Sequence, residues 1–262
     1  MPRLYSRPLM DSLALTLFLA VACVGAYVQA VTGFAMGLLM MAVMAASGWV
    51  AIPVTAAAVG LLALTNILWS LKGHQHEISQ RLLGVLALSV APAVGTGVWV
   101  LGLLDRHQER LLEGLFALFI IVGSLSMLWK PRVLKQPSGS LATFCAGFAG
   151  GVFGGLFAAS GPVLGWFMYR QPLPTGVARA TLLAFFALAS STRLLLVGVS
   201  GGLTRTVWLS AGMALPLVLL GTWLGRRFSP SIGDAAMRRA AFGLLLLIGT
   251  WMLIHAVFLR DL

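Results

Sequence analysis

The chain has 262 residues, 59% hydrophobic and 10% charged, with a mean hydropathy of +0.95, whereas a soluble globular domain carries about 25% charged residues. Its net charge of +11 does not point to nucleic acid. The basic residues lie in short clusters between apolar runs, where they face lipid head groups and fix topology, and no basic face can be assembled from them. The composition therefore predicts an all-α, polytopic protein of the cell membrane (a bacterial inner membrane), with the lipid bilayer as its solvent and no separate soluble domain.

In chain order, the N-terminus MPRLYSRPLMDSLALTLFLAVACVGA has the basic start and apolar centre of a signal peptide. It is also the first element of an internal repeat, which argues that it is retained. A long run over about 12–46 is interrupted by glycine, and ordinary spans follow at about 53–71, 81–104 and 110–129. The pattern then recurs: an interrupted run over about 140–169, and spans at about 176–199, 205–225 and 237–258. Hydropathy counts eight peaks, and ten helical segments if both interrupted runs turn back.

The two halves, 1–134 and 135–262, read as repeats. GAYVQAVTGF from Gly25 aligns with GFAGGVFGGL from Gly147, which sets Gly33 on Gly155 and Cys23 on Cys145. After a two-residue drift Arg81 falls on Arg205, Pro92 on Pro216 and Gly97 on Gly221. Basic residues select the topology. If each interrupted run goes in and comes back, one side collects Lys72, Arg81, Lys130, Arg132, Lys135, Arg170, Arg179, Arg226, Arg227, Arg238 and Arg239. The other side keeps Arg3, Arg7, Arg106, Arg110, Arg205 and Arg260. That excess obeys the positive-inside tendency, places both termini outside and makes the halves inverted repeats.

Interrupted helices at matching positions of two inverted halves are a transporter signature. The expected break points are Thr32-Gly33-Phe34 and Ser160-Gly161-Pro162. Backbone N–H groups freed there must face a protein-lined cavity, because lipid cannot satisfy them. The N-terminus of a half-helix favours an anion, and Pro162 suits its first turn. A second reading stays open: Gly147, Gly151 and Gly155 also have the spacing that packs membrane helices closely.

At these residues the sequence resembles the TauE/SafE family of membrane transporters. QAVTGFAMGLL, GGVFGGLFAASGPVLG and the later proline-to-glycine stretch from Pro216 carry the resemblance, which covers about 12–258. It implies a secondary transporter that exports small sulfur-containing or organic anions, sulfite and sulfonates, from a midplane site between the halves.

The polar residues inside spans are the candidates for that site. Arg193 lies in ALASSTRLLLVG, away from both span ends. It reads either as a counter-charge for the anion, through two guanidinium hydrogen bonds, or as a structural arginine that caps carbonyls. Ser190 and Ser191 add hydroxyls beside it, though such hydroxyls often bond only the preceding turn. Asn66, at the repeat position of Ser190, either selects ligand or joins helices. Gln29 and Thr32 flank the first break. With Gly33, Gly155, Ser160 and Gly161 these complete the candidate substrate-binding set.

Every Asp and Glu lies at a terminus, loop or span end, so the sequence offers no mid-span proton relay, and downhill export of an anion needs none. No metal ligand set, cofactor motif or catalytic constellation is present: Cys23 and Cys145 read as packing residues, and no nucleophile–base pair lies mid-membrane. Competing readings are an intramembrane enzyme, a non-transporting assembly or regulatory protein, and a channel. The oligomeric state, monomer or homodimer, is left open.

Overall fold

The computed structural model describes residues 12–128, 132–228 and 234–255; Arg3 and Arg7 of the signal-like N-terminus lie outside them. The described residues form ten α-helices: α1 Ser12–Thr32, α2 Met36–Ser47, α3 Ile52–Leu71, α4 Gln80–His107, α5 Glu109–Leu128, α6 Ser140–Phe157, α7 Gly161–Tyr169, α8 Thr175–Val199, α9 Arg205–Arg227 and α10 Asp234–Ile254. Seven of them, α1, α3, α4, α5, α6, α8 and α9, are long and apolar enough to cross a membrane. Each interrupted run resolves into a long helix and a short one, α1 with α2 and α6 with α7. At 12 and 9 residues, α2 and α7 rise about 18 and 14 Å, well short of a bilayer core of about 30 Å.

The partners of the helices alternate between halves. α1 packs along α9 and α6 along α4; α3 touches α9 as α8 touches α4; α3 meets α8, and α5 meets α10. Lipid gives no hydrophobic drive for such contacts, so close backbone approach through small residues supplies them. Gly97 of α4 sits against the Val152 carbonyl and the Gly155 Cα of α6, and Gly151 sits against Ala93. On the other side, Gly221 and Gly225 of α9 lie against the carbonyls of Cys23 and Tyr27 in α1. A Cβ at any of these positions would overlap its neighbour.

The first break comprises residues 33–35 and the second residues 158–160. The helix ends set Gly33 opposite Ala158, whereas the sequence alignment set it on Gly155. Gly155 instead lies inside α6, in the contact with α4. The register was carried by glycine matches, and those glycines serve helix packing, which tolerates a shift that the break does not. Gly33 has φ +85° and its missing Cβ makes room for the stem of Arg179. Two alanines, Ala35 at φ 106° and Ala158 at φ 52°, take the left-handed conformation without glycine's freedom, strain of a kind that clusters at functional sites.

Overpacking a close contact costs about 1–3 kcal/mol. Gly97→Val and Gly221→Val are each expected to lower the thermal unfolding midpoint of the detergent-solubilised protein. Gly102→Val, where a Cβ meets open space, is expected to leave it unchanged.

Candidate functional site

The two breaks touch. Gly37, in the first turn of α2, lies against the Ala158 carbonyl, and Gly161, the first residue of α7, packs on the Phe34 ring. Between them is a cavity of about 40 Å³, room for about three or four waters at roughly 10–15 Å³ each. The break residues Phe34, Ala35, Ala158, Ala159, Ser160 and Gly161 form one part of its wall. Ile67 of α3 and Phe186 and Ala189 of α8 close it with apolar surface, and Gln29 and Ser190 add side-chain polarity.

Both short helices begin at this cavity. The first N–H groups of a helix have no intrahelical partner. In α2 the Met36 N–H donates to Gln29 Oε1 at 3.2 Å, while Gly37 and Leu38, the next two positions, line the cavity. In α7, Pro162 lies in the first turn and has no N–H to leave unpaired. Neither half-helix has a side-chain cap on its first turn from its own N-cap residue. Ser160 is the N-cap residue of α7 and is 7% exposed. Its hydroxyl lies over Gly154, in the space a Cβ there would fill.

The carbonyl ends of the broken helices are covered by protein. Arg179 donates to Ala30 O, Tyr169 Oη donates to Thr32 O at 3.2 Å, and Thr32 Oγ1 lies 2.8 Å from Val28 O and 2.6 Å from Phe34 O. In α6, Gly155 O accepts from Arg193 Nε at 3.0 Å, and Arg193 Nη1 donates to Ala56 O of α3 at 2.9 Å. Ala30 and Gly155 each sit two residues before the end of their helix.

A buried amide chain ties the first break to its neighbours. Gln29 Nε2 donates to Asn66 Oδ1 at 2.8 Å, and Asn66 Nδ2 donates to Thr222 Oγ1 at 2.6 Å and to Ala26 O at 3.2 Å. Both oxygens and both nitrogens of the two amides are thereby engaged, which fixes their orientation.

Of the ten sequence candidates, the structure brings Gln29, Ser160, Gly161 and Ser190 to the cavity wall. Asn66, fully buried, lies one hydrogen bond behind it. Thr32 and Gly33 shape the break beneath Arg179. Gly155 and Arg193 meet each other behind the wall, and Ser191 is half-buried away from it. The sequence named Phe34 only as part of a break and passed over Ala35, Gly37, Ala158 and Ala159, because nothing polar marks them; the signal was positional, the residues at and between two helix ends. Among the described residues no group of three or more His, Cys, Asp or Glu could hold a metal ion.

Seven membrane-crossing helices, two half-length helices starting at a shared cavity, and covered carbonyl ends define a polytopic helical membrane transporter. The family described as sulfite exporter TauE/SafE matches residues 17–252, and the chain belongs to it. It is 37% identical over 233 residues to a probable sulfite/organosulfonate exporter TauE of Cupriavidus necator, covering 89% of this chain and 91% of that protein. It is also 26% identical over 184 residues to a probable inner membrane transporter protein TsaS of Comamonas testosteroni, covering 69% and 74%. No solved structure matches. The protein is a multi-pass transporter of the bacterial inner membrane.

Leaving a buried amide without its partner costs roughly 1–3 kcal/mol. Asn66→Leu orphans Gln29 Nε2 and is expected to lower the unfolding midpoint accordingly, whereas Ser191→Ala is expected to stay within about 0.5 kcal/mol of the parent protein.

Proposed function

We propose that the protein exports small sulfur-containing anions, sulfite and sulfonates, through the cavity between the two breaks. The halves 1–134 and 135–262 act as inverted repeats that rock about it. The carrying observation is the polarity of the breaks: their carbonyls are covered by Arg179, Tyr169 and Arg193, while the N-terminal turns of α2 and α7 and the uncapped Ser160 hydroxyl border the cavity. Two helix N-termini at one site favour an anion. The relatives' names agree with that chemistry. Transport then involves no chemical step and no cofactor.

In this reading Ser160, Ser190 and the backbone at Gly37 and Gly161 touch the anion. Gln29 and Asn66 hold the α2 terminus in place, Thr32 and Gly33 set the turn, and the Gly155 carbonyl anchors Arg193. The outward gradient suffices as a driving force, because a monovalent anion leaving an inside-negative cell gains about 2.3 kcal/mol per 100 mV.

The test is efflux from proteoliposomes loaded with sulfite under an inside-negative potential. Protein-dependent efflux is expected, and rates equal to empty liposomes for sulfite and for sulfonates would sink the proposal. A hydrogen bond to a charged group contributes about 1.5–3 kcal/mol, so Ser160→Ala is expected to raise the half-saturating concentration about ten- to a hundredfold with an unchanged unfolding midpoint.

A further inference from the structure

Arg193 is 1% exposed, and among the described residues it is the one buried side chain that carries a formal charge. A guanidinium stays protonated in proteins. Its two carbonyl partners, Gly155 O and Ala56 O, solvate the charge without neutralising it. Its position relative to the cavity is close: Gly154, beside Gly155, lines the wall, and so do Ala189 and Ser190, one turn earlier on α8. A fixed positive charge therefore stands on the same helix about one turn from Ala189 and Ser190 of the wall, with its Nε and Nη1 engaged by the two carbonyls.

The charge count of the region follows. Arg179 at the first break is only half-buried and open to screening, so the fully buried charge to be balanced is that of Arg193, and one negative charge in the cavity balances it. A second negative charge leaves an uncompensated anion in a low-dielectric setting, and the cost of desolvating charge rises steeply there.

We propose that the cavity selects its anion by charge: it takes monoanions, sulfonates and hydrogensulfite, over dianions of the same size such as sulfate, with Arg193 as the charge-compensating residue that acts through its field. The proposal rests on the anion-transport reading above, and adds to it which ionic form binds and which side chain sets that choice. Arg193 is thus a specificity-determining residue that makes no contact with the ligand.

The experiment is calorimetric binding of methanesulfonate and of sulfate to the purified full chain in detergent at matched ionic strength. The two ligands share the tetrahedral sulfur and differ by one charge. Methanesulfonate is expected to bind about tenfold or more tightly than sulfate, a selectivity in the range of a discriminating charged contact. Arg193→Lys, which keeps the charge, is expected to stay within a few-fold of the parent for methanesulfonate, and Arg193→Gln, checked for folding by its unfolding midpoint, to weaken it about tenfold or more. Sulfate binding equal to or tighter than methanesulfonate in the parent protein overturns the charge selection, and needs no variant. A folded Arg193→Gln protein that binds methanesulfonate like the parent overturns the role of Arg193. Absence of binding by methanesulfonate, sulfate and sulfite together counts against the anion-transport reading itself, a different result from loss of selectivity.

Discussion

A helix broken inside a membrane leaves two kinds of unpaired backbone, carbonyls on the side where the chain stops and N–H groups on the side where it restarts, and lipid satisfies neither. The rest of this structure depends on how unequally the two kinds are treated. At both breaks the carbonyls are met by long cationic or hydroxyl side chains: Arg179 and Tyr169 reach the end of α1, and Arg193 reaches the end of α6. The N–H groups at the start of α2 receive one side-chain acceptor, Gln29, and the start of α7 receives none from its own N-cap. Ala30, Thr32 and Gly155 thus have their carbonyls met by side chains, while the first turns of α2 and α7 lie at the cavity. In the proposed reading that inequality sets the sign of the ligand.

Both covering arginines come from α8, and their targets, Ala30 and Gly155, occupy the same position relative to the ends of α1 and α6. One helix of the second half therefore holds both broken helices. The first half contributes Gln29 and Asn66, which with Thr222 of α9 fasten α1, α3 and α9 together. The contact pattern is nearly two-fold while the polar fastening is one-sided.

Much of this was legible in the sequence. The ten helical segments follow from apolar run length and from the two glycine-interrupted runs, because those features reflect the bilayer's thickness and glycine's intrinsic helix cost. Pro162 in the first turn of α7 follows from its missing N–H. The pairing of Gly33 with Gly155 did not survive, since glycine in this chain serves two demands, close packing and positive φ, and a sequence alignment cannot separate them. Ala35 and Ala158 could not be read at all: each takes left-handed backbone where a helix restarts or ends, a conformation that usually marks itself in a sequence by glycine. Asn66 was open between ligand selection and helix joining, and its three hydrogen bonds give it the joining geometry.

Arg193 shows how the two readings of a buried charge can be one. Sequence reasoning set a cap on carbonyls against a counter-charge for the substrate. The geometry supplies the cap, with both carbonyls within 3.0 Å. A capped guanidinium, however, keeps its full charge, and burial makes that charge felt further than it would be in water. Capping moreover removes the weakness of a direct ion pair in a transport site. A guanidinium gripping its substrate through two hydrogen bonds deepens the bound state and slows release, whereas a charge held one layer back lowers the cost of desolvating the anion without binding it tightly. A carrier must let go on every cycle, and conduction through a site requires binding weak enough to leave. The carbonyls of Gly155 and Ala56 therefore hold a buried cation in place, and in the proposed reading its charge lowers the cost of bringing an anion to the cavity without a direct grip.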